Sequence, residues 1–405
     1  MVAVKCGCYR PFPFLALFFM PFAMIVISAM ALAAWIYLIA LHGDFWRTWK
    51  FADLPPPSGS IWPRIVAVVP ARDEAANIEQ SVTSILQQPY PGLLSMIVVD
   101  DQSADGTAEL AVRAAVAIGA SDRLTVLRGQ TLPAGWTGKL WAVKQGLNHA
   151  GQFSPDVVLL TDADIVYSGD VIARLATRLR SENLVMTSIM ARLNCENLAE
   201  RFLIPAFVFF FGMLYPFGWV NKPRSRMAAA AGGCVLVRWD ALQAIGGIDS
   251  IRGALIDDCA LGARLKLIGS IWLGFSQDVR SIRSSDGISD IGRMISRTAY
   301  AQLRYSLLVV AGMTVAMAVI FVAPVVLLFA ADPLTRLLAA GSWVLMALAF
   351  QPTLRYYGQS PLWGAALPII ASAYMIFTLN SAYQHLRGRG GMWKGRAQAN
   401  VSASR

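Results

Sequence analysis

Two aspartates one residue apart, Asp162 and Asp164, close an apolar, strand-like run at Leu159-Leu160-Thr161-Asp162-Ala163-Asp164-Ile165. A β-strand presents alternate side chains to the same side, so an i, i+2 pair at its carboxyl end can turn both carboxylates toward one cation. Mg²⁺ and Mn²⁺ take oxygen ligands and are commonly held by one or two carboxylates, with substrate phosphates and waters completing the shell. The spacing therefore points to a divalent metal that carries a diphosphate. Alone, such a pair is equally a polar turn, and its weight comes from its neighbours.

Five further segments could do chemistry. Val68-Val69-Pro70-Ala71-Arg72-Asp73-Glu74 and Val98-Val99-Asp100-Asp101-Gln102-Ser103-Ala104-Asp105-Gly106-Thr107 each end a β-branched run in an acidic turn. A carboxylate there can accept from a nucleobase N–H, while the following turn offers backbone donors. Lys139 follows Gly138 and opens a helix, a place to meet phosphate oxygens. Ala231-Gly232-Gly233-Cys234 is a small-residue turn feeding a strand, which lets backbone approach a ligand closely or simply pack tightly. Asp257-Asp258 precedes Leu261, Leu265 and Ile268 at helical spacing. Acids at a helix start are favoured by the macrodipole, but one of them can also be a general base.

The elements that must position these residues alternate. Ile65–Val69, Met96–Val99, Leu124–Leu127 and Val157–Leu160 read as strands, and Ile78–Leu86, Ala108–Ile118 and Leu140–Leu147 as helices. The fold class is α/β, with parallel strands covered on both faces and ligands gathered beyond the carboxyl ends of the strands. The polar residues of the aspartate pair and of the two acidic turns lie at such ends.

Composition adds a membrane. Of 405 residues 56% are hydrophobic, and the mean hydropathy of +0.50 is too high for an ordinary soluble protein of this length. Residues 12–41 contain no charge and exceed the ~20 needed to cross hydrocarbon as a helix. A cleaved signal peptide is the rival, because small residues at Ala31–Ala34 resemble a processing site. A stiff linker, Asp53-Leu54-Pro55-Pro56-Pro57-Ser58-Gly59-Ser60, leads into a folded domain over 61–305. Within it the phenylalanine-rich stretch 202–220, with Pro205 and Pro216, reads as a helix lying along the membrane surface rather than spanning it.

A membrane region with two to three spans follows over 306–383, its middle segment (337–350) being short, and 384–405 is a basic tail. Net charge is +10, which in this setting favours anionic lipid, and no nucleic-acid module is visible. A cytoplasmic domain followed by three full crossings would leave the basic tail outside, against the positive-inside rule, so one segment is expected not to cross. Cys6, Cys8, Cys195, Cys234 and Cys259 are scattered and suggest neither a disulfide framework nor zinc.

As an ordered set these segments resemble family 2 glycosyltransferases of the GT-A fold, from about Ile65 to Tyr305. The resemblance implies that Pro70, Ala71, Arg72, Glu74 and Asp101 hold the nucleotide of a nucleotide-sugar donor, with Lys139, Gly233 and Asp257 completing that set. It implies that Asp162 and Asp164 bind Mg²⁺ or Mn²⁺. The typical E-D-x-x-L-x-x-R-L run corresponds to Asp257-Asp258-Cys259-Ala260-Leu261-Gly262-Ala263-Arg264-Leu265, with aspartate replacing the usual glutamate, and its second acid, Asp258, is the base.

A narrower likeness is to hopanoid-biosynthesis-associated glycosyltransferases, through the amino-terminal anchor, Gly135-Trp136-Thr137-Gly138-Lys139-Leu140-Trp141-Ala142, Gln302-Leu303-Arg304-Tyr305-Ser306 and Gly391-Met392-Trp393-Lys394-Gly395-Arg396. It implies a bacterial inner-membrane enzyme working near polycyclic triterpenoid lipids. With no separate nucleophile constellation a single in-line displacement inverts the sugar, and because nucleotide sugars are cytosolic the domain is expected to face the cytoplasm and pass one sugar to a membrane lipid. Processive synthases and ceramide glucosyltransferases carry Q-x-x-R-W at this point, whereas Gln302 is displaced by one residue, which weakens polymer synthesis. A non-catalytic lipid-binding protein that keeps the fold is the alternative from another class, and the intact acidic motifs oppose it.

Overall fold

The structure, a computed structural model, describes residues 14–51, 54, 61–388, 392–393 and 396–397. Residues 12–13, most of the proline-rich linker and most of the basic tail lie outside them. Eight strands form one mixed sheet: β1 (Ile65–Ala71), β2 (Leu94–Asp100), β3 (Leu124–Arg128), β4 (Val157–Leu160), β5 (Ile165–Tyr167), β6 (Met186–Arg192), β7 (Val235–Arg238) and β8 (Ile271–Ser281), in the order β3-β2-β1-β4-β7-β6-β8-β5. The expected parallel half is β3-β2-β1-β4. Beyond it β7 runs antiparallel to β4 and β6, and β5 antiparallel to β8.

Every residue of β1 is buried, because both faces are covered. Ile65, Ala67, Val69 and Ala71 face a cluster with Ile78, Val82 and Ile85 of α2 (Ile78–Leu86) and Ala111 of α3 (Thr107–Ala117). Val66 and Val68 face the other cluster, with Leu140, Val143 and Leu147 of α4 (Gly138–Ala150). After β1 the chain winds outward to β2 and β3, then returns across β1 to β4. The crevice between the carboxyl ends of β1 and β4 is thus the switch point where an α/β sheet takes its ligand.

The remaining helices are α5 (Val171–Ser181), α6 (Leu198–Leu214), α7 (Phe217–Val220), α8 (Trp239–Ala244), α9 (Asp257–Lys266) and α10 (Ile288–Gln302), then α11 (Leu307–Met317), α12 (Ala323–Leu327), α13 (Pro333–Tyr356) and α14 (Leu367–Leu386). With α1 (Phe14–Leu41) in front, three stretches among the described residues are long and apolar enough to cross a membrane: Met20–Leu41, Leu307–Leu327 and Pro333–Tyr356. α1 runs unbroken through Ala31–Ala34, with Ala31 fully buried. Leu307–Leu327 stays helical past Pro324 through a π-turn at Ala318–Val322, which accommodates the missing proline N–H.

The segment that sequence marks as short, 337–350, belongs to the 24-residue α13. α14, which sequence marks as long enough, is not among the three. It instead lies against α10 and α6: Ser296 Oγ donates to the Phe377 carbonyl (2.9 Å), Tyr300 N–H to Ser381 Oγ (3.0 Å) and the Tyr374 hydroxyl to the Leu203 carbonyl (2.8 Å). α6 is buried on one side by aromatic contacts, Phe209 with Phe45 and Phe350 and Phe210 with Tyr374.

The junction with the α/β domain is tight. A Cβ at Gly43, just past α1, would come within 2.7 Å of Pro216 and 2.8 Å of the Trp219 ring. At the end of α13 the Tyr356 hydroxyl donates to the Ser276 carbonyl (2.7 Å). α10 stops at Gln302 and the chain reverses through Arg304 and Tyr305, both at positive φ, before Ser306 caps α11. Non-glycine residues hold that conformation only where surrounding contacts enforce it; here the Tyr300 hydroxyl donates to the Tyr305 carbonyl (2.6 Å).

Candidate active site

The crevice between β1 and β4 is lined by Pro70, Lys139, Thr161, Asp162, Gly232, Asp257 and Asp258, with an apolar wall that includes Leu140, Val143 and Leu261. Residues 70, 139, 162, 232 and 257–258 are far apart in the chain and meet because each sits at a strand or helix end.

Lys139, the second residue of α4, lies behind a Thr137 cap. Its Nζ stands 2.8 Å from Asp162 Oδ1 and 3.2 Å from Asp257 Oδ2. Burial opposes charge on Lys139, yet the carboxylates of Asp162 and Asp257 overcome it and hold the ammonium above the ordinary lysine range.

Asp258 is oriented by two backbone donors, Gly232 N–H to Oδ2 (2.8 Å) and Cys259 N–H to Oδ1 (2.7 Å). Burial, reinforced by the neighbouring Asp257 and opposed by Lys139 and these two N–H groups, pushes its carboxyl up to about 6. That suits a base working near neutral pH.

The aspartate pair differs from the strand geometry that sequence suggests. β4 ends at Leu160, so Asp162-Ala163-Asp164 lies in the turn leading to β5. Each carboxylate has its own cation: Asp162 has Lys139, and Asp164 accepts from Arg283 Nε (3.2 Å) and the Ser281 hydroxyl (2.7 Å). Short strands on either side of a turn, rather than one long strand, set the separation.

The first-strand residues form a second layer. Asp101 is fully buried; its N–H donates to the Ala71 carbonyl (2.7 Å) and Arg72 Nη1 lies 3.7 Å from its Oδ2. Glu74 is buried, accepts from Asn77 Nδ2 (3.0 Å) and pairs with Arg283. Gly233 faces inward: a Cβ there would sit 3.1 Å from Ala191 and from Ile165, and its carbonyl accepts from Thr161 Oγ1 (2.8 Å). Gly232 is the glycine against the cleft, where a Cβ would stand 3.4 Å from both Asp258 Oδ2 and Lys139 Nζ.

Sequence reasoning passed over Gly232 and Arg283. The first stood in the quoted turn beside the residue chosen. The second, in Ser281-Ile282-Arg283 after β8, carries no local signal and could be found only through its acidic partners.

A family model described as glycosyltransferase-like family 2 matches residues 63–276. Two curated N-acetylglucosaminyltransferases, from Mesorhizobium japonicum and Rhizobium meliloti, are each 31% identical, over 149 and 142 residues. Those stretches are 36% and 35% of this chain but only 32% and 31% of the relatives, so the match spans about a third of their length. A mannosyltransferase from Pyrobaculum calidifontis, solved in complex with GDP-Man and Mn²⁺, superposes with a TM-score of 0.52 at 18% identity, covering 90% of this chain and 99% of that one. At that identity the likeness is one of fold alone, GT-A; with more than half its length matched by the family model, the chain belongs to the glycosyltransferase-like family 2.

Proposed function

We propose that this protein is a membrane-bound, inverting glycosyltransferase that moves one sugar from a nucleotide-sugar donor to a membrane lipid alcohol, of the polycyclic triterpenoid kind. The observation that carries this reading is the convergence of Asp258, Lys139, Asp162 and Asp257 in one cleft at the sheet's switch point. Asp258 takes the proton of the acceptor hydroxyl as its oxygen attacks the anomeric carbon. The sugar–phosphate bond breaks in the same displacement, and the diphosphate leaves toward Lys139. Pro70 lines the crevice on the nucleotide side, and Ala71, Arg72, Glu74 and Asp101 form the layer behind it that holds this side in place.

The donor set suits a divalent cation. Asp162 and Asp164 offer only carboxylate oxygens, and among the described residues no group of three or more acidic, histidine or cysteine side chains completes a cage. The fit rests on ligand chemistry: carboxylate oxygens are what Mg²⁺ and Mn²⁺ take, with substrate phosphates and waters completing the shell. Bound by Asp162 and Asp164, the cation would offset charge on the departing diphosphate. The Pyrobaculum mannosyltransferase was solved with GDP-Man and Mn²⁺, and the relatives are named for N-acetylglucosamine; activated mannose and activated N-acetylglucosamine are the first donors to test.

For topology, we place three crossings, α1, α11–α12 and α13, with α14 lying flat on the cytoplasmic face. The domain and the basic tail are then both cytoplasmic, as the positive-inside rule requires. The test is purified protein in nanodiscs of bacterial lipid with Mn²⁺ and radiolabelled donors. A single labelled lipid of one added sugar supports the reading. A polymer ladder would transfer it to a polysaccharide synthase, and no turnover with any donor, together with indifference to Asp258→Asn, would favour a non-catalytic lipid-binding role.

A further inference from the structure

The acidic cleft brings its own cations. Lys139 Nζ lies 2.8 Å from Asp162 Oδ1 and 3.2 Å from Asp257 Oδ2. Arg283 places Nε 3.2 Å from Asp164 Oδ2 and Nη2 on Glu74 Oε1. Each member of the aspartate pair therefore has an oxygen taken by a basic side chain, one from α4 and one from the segment after β8. An oxygen lone pair pointed at an ammonium is not open to a metal at ~2.0–2.1 Å, and a cation that close repels another.

We propose that Lys139 and Arg283 are resident counter-ions of the metal site: they hold Asp162 and Asp164 in the donor-free enzyme and hand them over when metal arrives with the nucleoside diphosphate. The phosphate oxygens then take up the two basic side chains. This rests on the nucleotide-sugar reading above.

Two features support exchange over a fixed structural pairing. Arg283 is 45% exposed while its partners Glu74 and Asp164 are 7% and 12% exposed, so the cation is the member a ligand can reach from solvent. Lys139 opens α4 on a four-carbon stem, at the helix end where backbone dipoles favour a phosphate. The consequence is strong coupling: metal and nucleotide each bind weakly alone and tightly together, by the same factor in both directions.

The experiment is Mn²⁺ binding followed by electron paramagnetic resonance on the full chain in detergent, with and without UDP or GDP. Wild-type protein should bind Mn²⁺ at least tenfold more tightly with the nucleotide than without it. K139Q and R283Q should each tighten Mn²⁺ binding in the nucleotide-free protein and shrink the enhancement by nucleotide, while K139R keeps the wild-type pattern. K144Q removes the same charge farther along α4, where Lys144 pairs with Asp249, and should leave the coupling intact. Wild-type protein that binds Mn²⁺ equally with and without a bound nucleotide would overturn the inference. So would K139Q and R283Q with unaltered nucleotide-free affinity. Failure of both UDP and GDP to bind in the presence of Mn²⁺ would instead sink the donor reading, and the handover with it.

Discussion

Asp258→Asn tests the base and its environment together. The native carboxyl is raised to about 6 from an ordinary 3.8, mainly by burial and by Asp257. A raised acid binds its proton more tightly in the folded state, so its contribution is fully favourable below pH 3.8 and is lost as pH rises through 6. At pH 7.5 the ionised side chain therefore costs up to about 3 kcal/mol, at 1.36 kcal/mol per unit. Asparagine removes that cost but has one acceptor oxygen for the two N–H groups of Gly232 and Cys259. Leaving one unsatisfied costs about 1–3 kcal/mol, the lower end applying where the group is only partly buried.

The net at pH 7.5 is a stabilisation of about 1–2 kcal/mol, which is about 2–8 °C in Tm for a domain of this size. At pH 4.5, where the wild-type side chain is mostly protonated, the variant should be the less stable of the two. Turnover should fall by about 10²–10⁴, the usual worth of a general base, with donor KM little changed. Thermal melts in detergent across pH 4.5–8, beside initial rates, read both quantities. A variant that melts lower than wild type at every pH, or that retains a tenth of wild-type turnover, would refute the reasoning.

For the wild-type enzyme, kcat/KM should fall below about pH 6 with unit slope, because protonated Asp258 cannot accept the acceptor's proton; a flat profile down to pH 5 would place the base elsewhere. Gly262→Ala puts a Cβ 2.9 Å from the Ala229 carbonyl carbon and 3.2 Å from the Ala230 nitrogen, all backbone, so α9 must shift and carry Asp258 off Gly232. Stability should drop by about 1–3 kcal/mol, and turnover more than tenfold in steady-state assays. Glu200 is fully buried and accepts from the backbone N–H of Ser285 (2.8 Å) and Glu196 (2.9 Å). Burial would raise its pKa, but these bonds prevail and lower it, so its stabilisation is present above the ordinary carboxyl range and fades as pH falls through the lowered value. Glu200→Gln should lower the melting temperature at pH 7 and much less at pH 3.5. A fluorescent protein fused after Arg405 should fluoresce in intact cells if the tail is cytoplasmic, whereas a dark, stably expressed fusion would require a fourth crossing.

The strand and helix pattern from Ile65 to Leu160 is legible because β1 is fully buried, β2 and β4 are buried at all but one residue each, and the helices are amphipathic, so period and burial agree there, while the half-buried edge strand β3 is carried by its β-branched and apolar run. The mixed half of the sheet is not: β5 and β7 are only three and four residues long, and their antiparallel pairing depends on partners remote in sequence. Asp162, Asp257, Asp258 and Lys139 could be nominated from local context, since each sits beside a turn or helix start. Which cation faces which acid could not, because Arg283 reaches Glu74 across 209 residues. Among the membrane segments, length and hydropathy separate α13 from α14, and packing differs as well: α13 stands against α1, whereas α14 is engaged along its side by Ser296, Tyr300 and Leu203.

That packing bears on how two substrates of opposite solubility can share one base. α14 is bonded to α6 and α10, and these two helices end at Tyr215 and Gln302, which hydrogen-bond to each other at 2.7–3.1 Å. Tyr215 in turn lies close enough to Cys259 and Asp258 that both, after burial, help to raise its phenol. The layer of α6, α10 and α14 thus reaches the start of α9 through side-chain contacts. On the proposed reading, a lipid hydroxyl arrives at Asp258 from the Tyr215 side and the nucleotide from the Pro70 and Asp101 side. In-line displacement requires the attacking oxygen and the leaving diphosphate to stand on opposite sides of the sugar, and on that reading the Tyr215 and Pro70 sides of Asp258 are those two sides. A fourth crossing by α14 would remove Tyr374 and Ser381 from α6 and α10, and the acceptor side of the site would lose the platform that holds it.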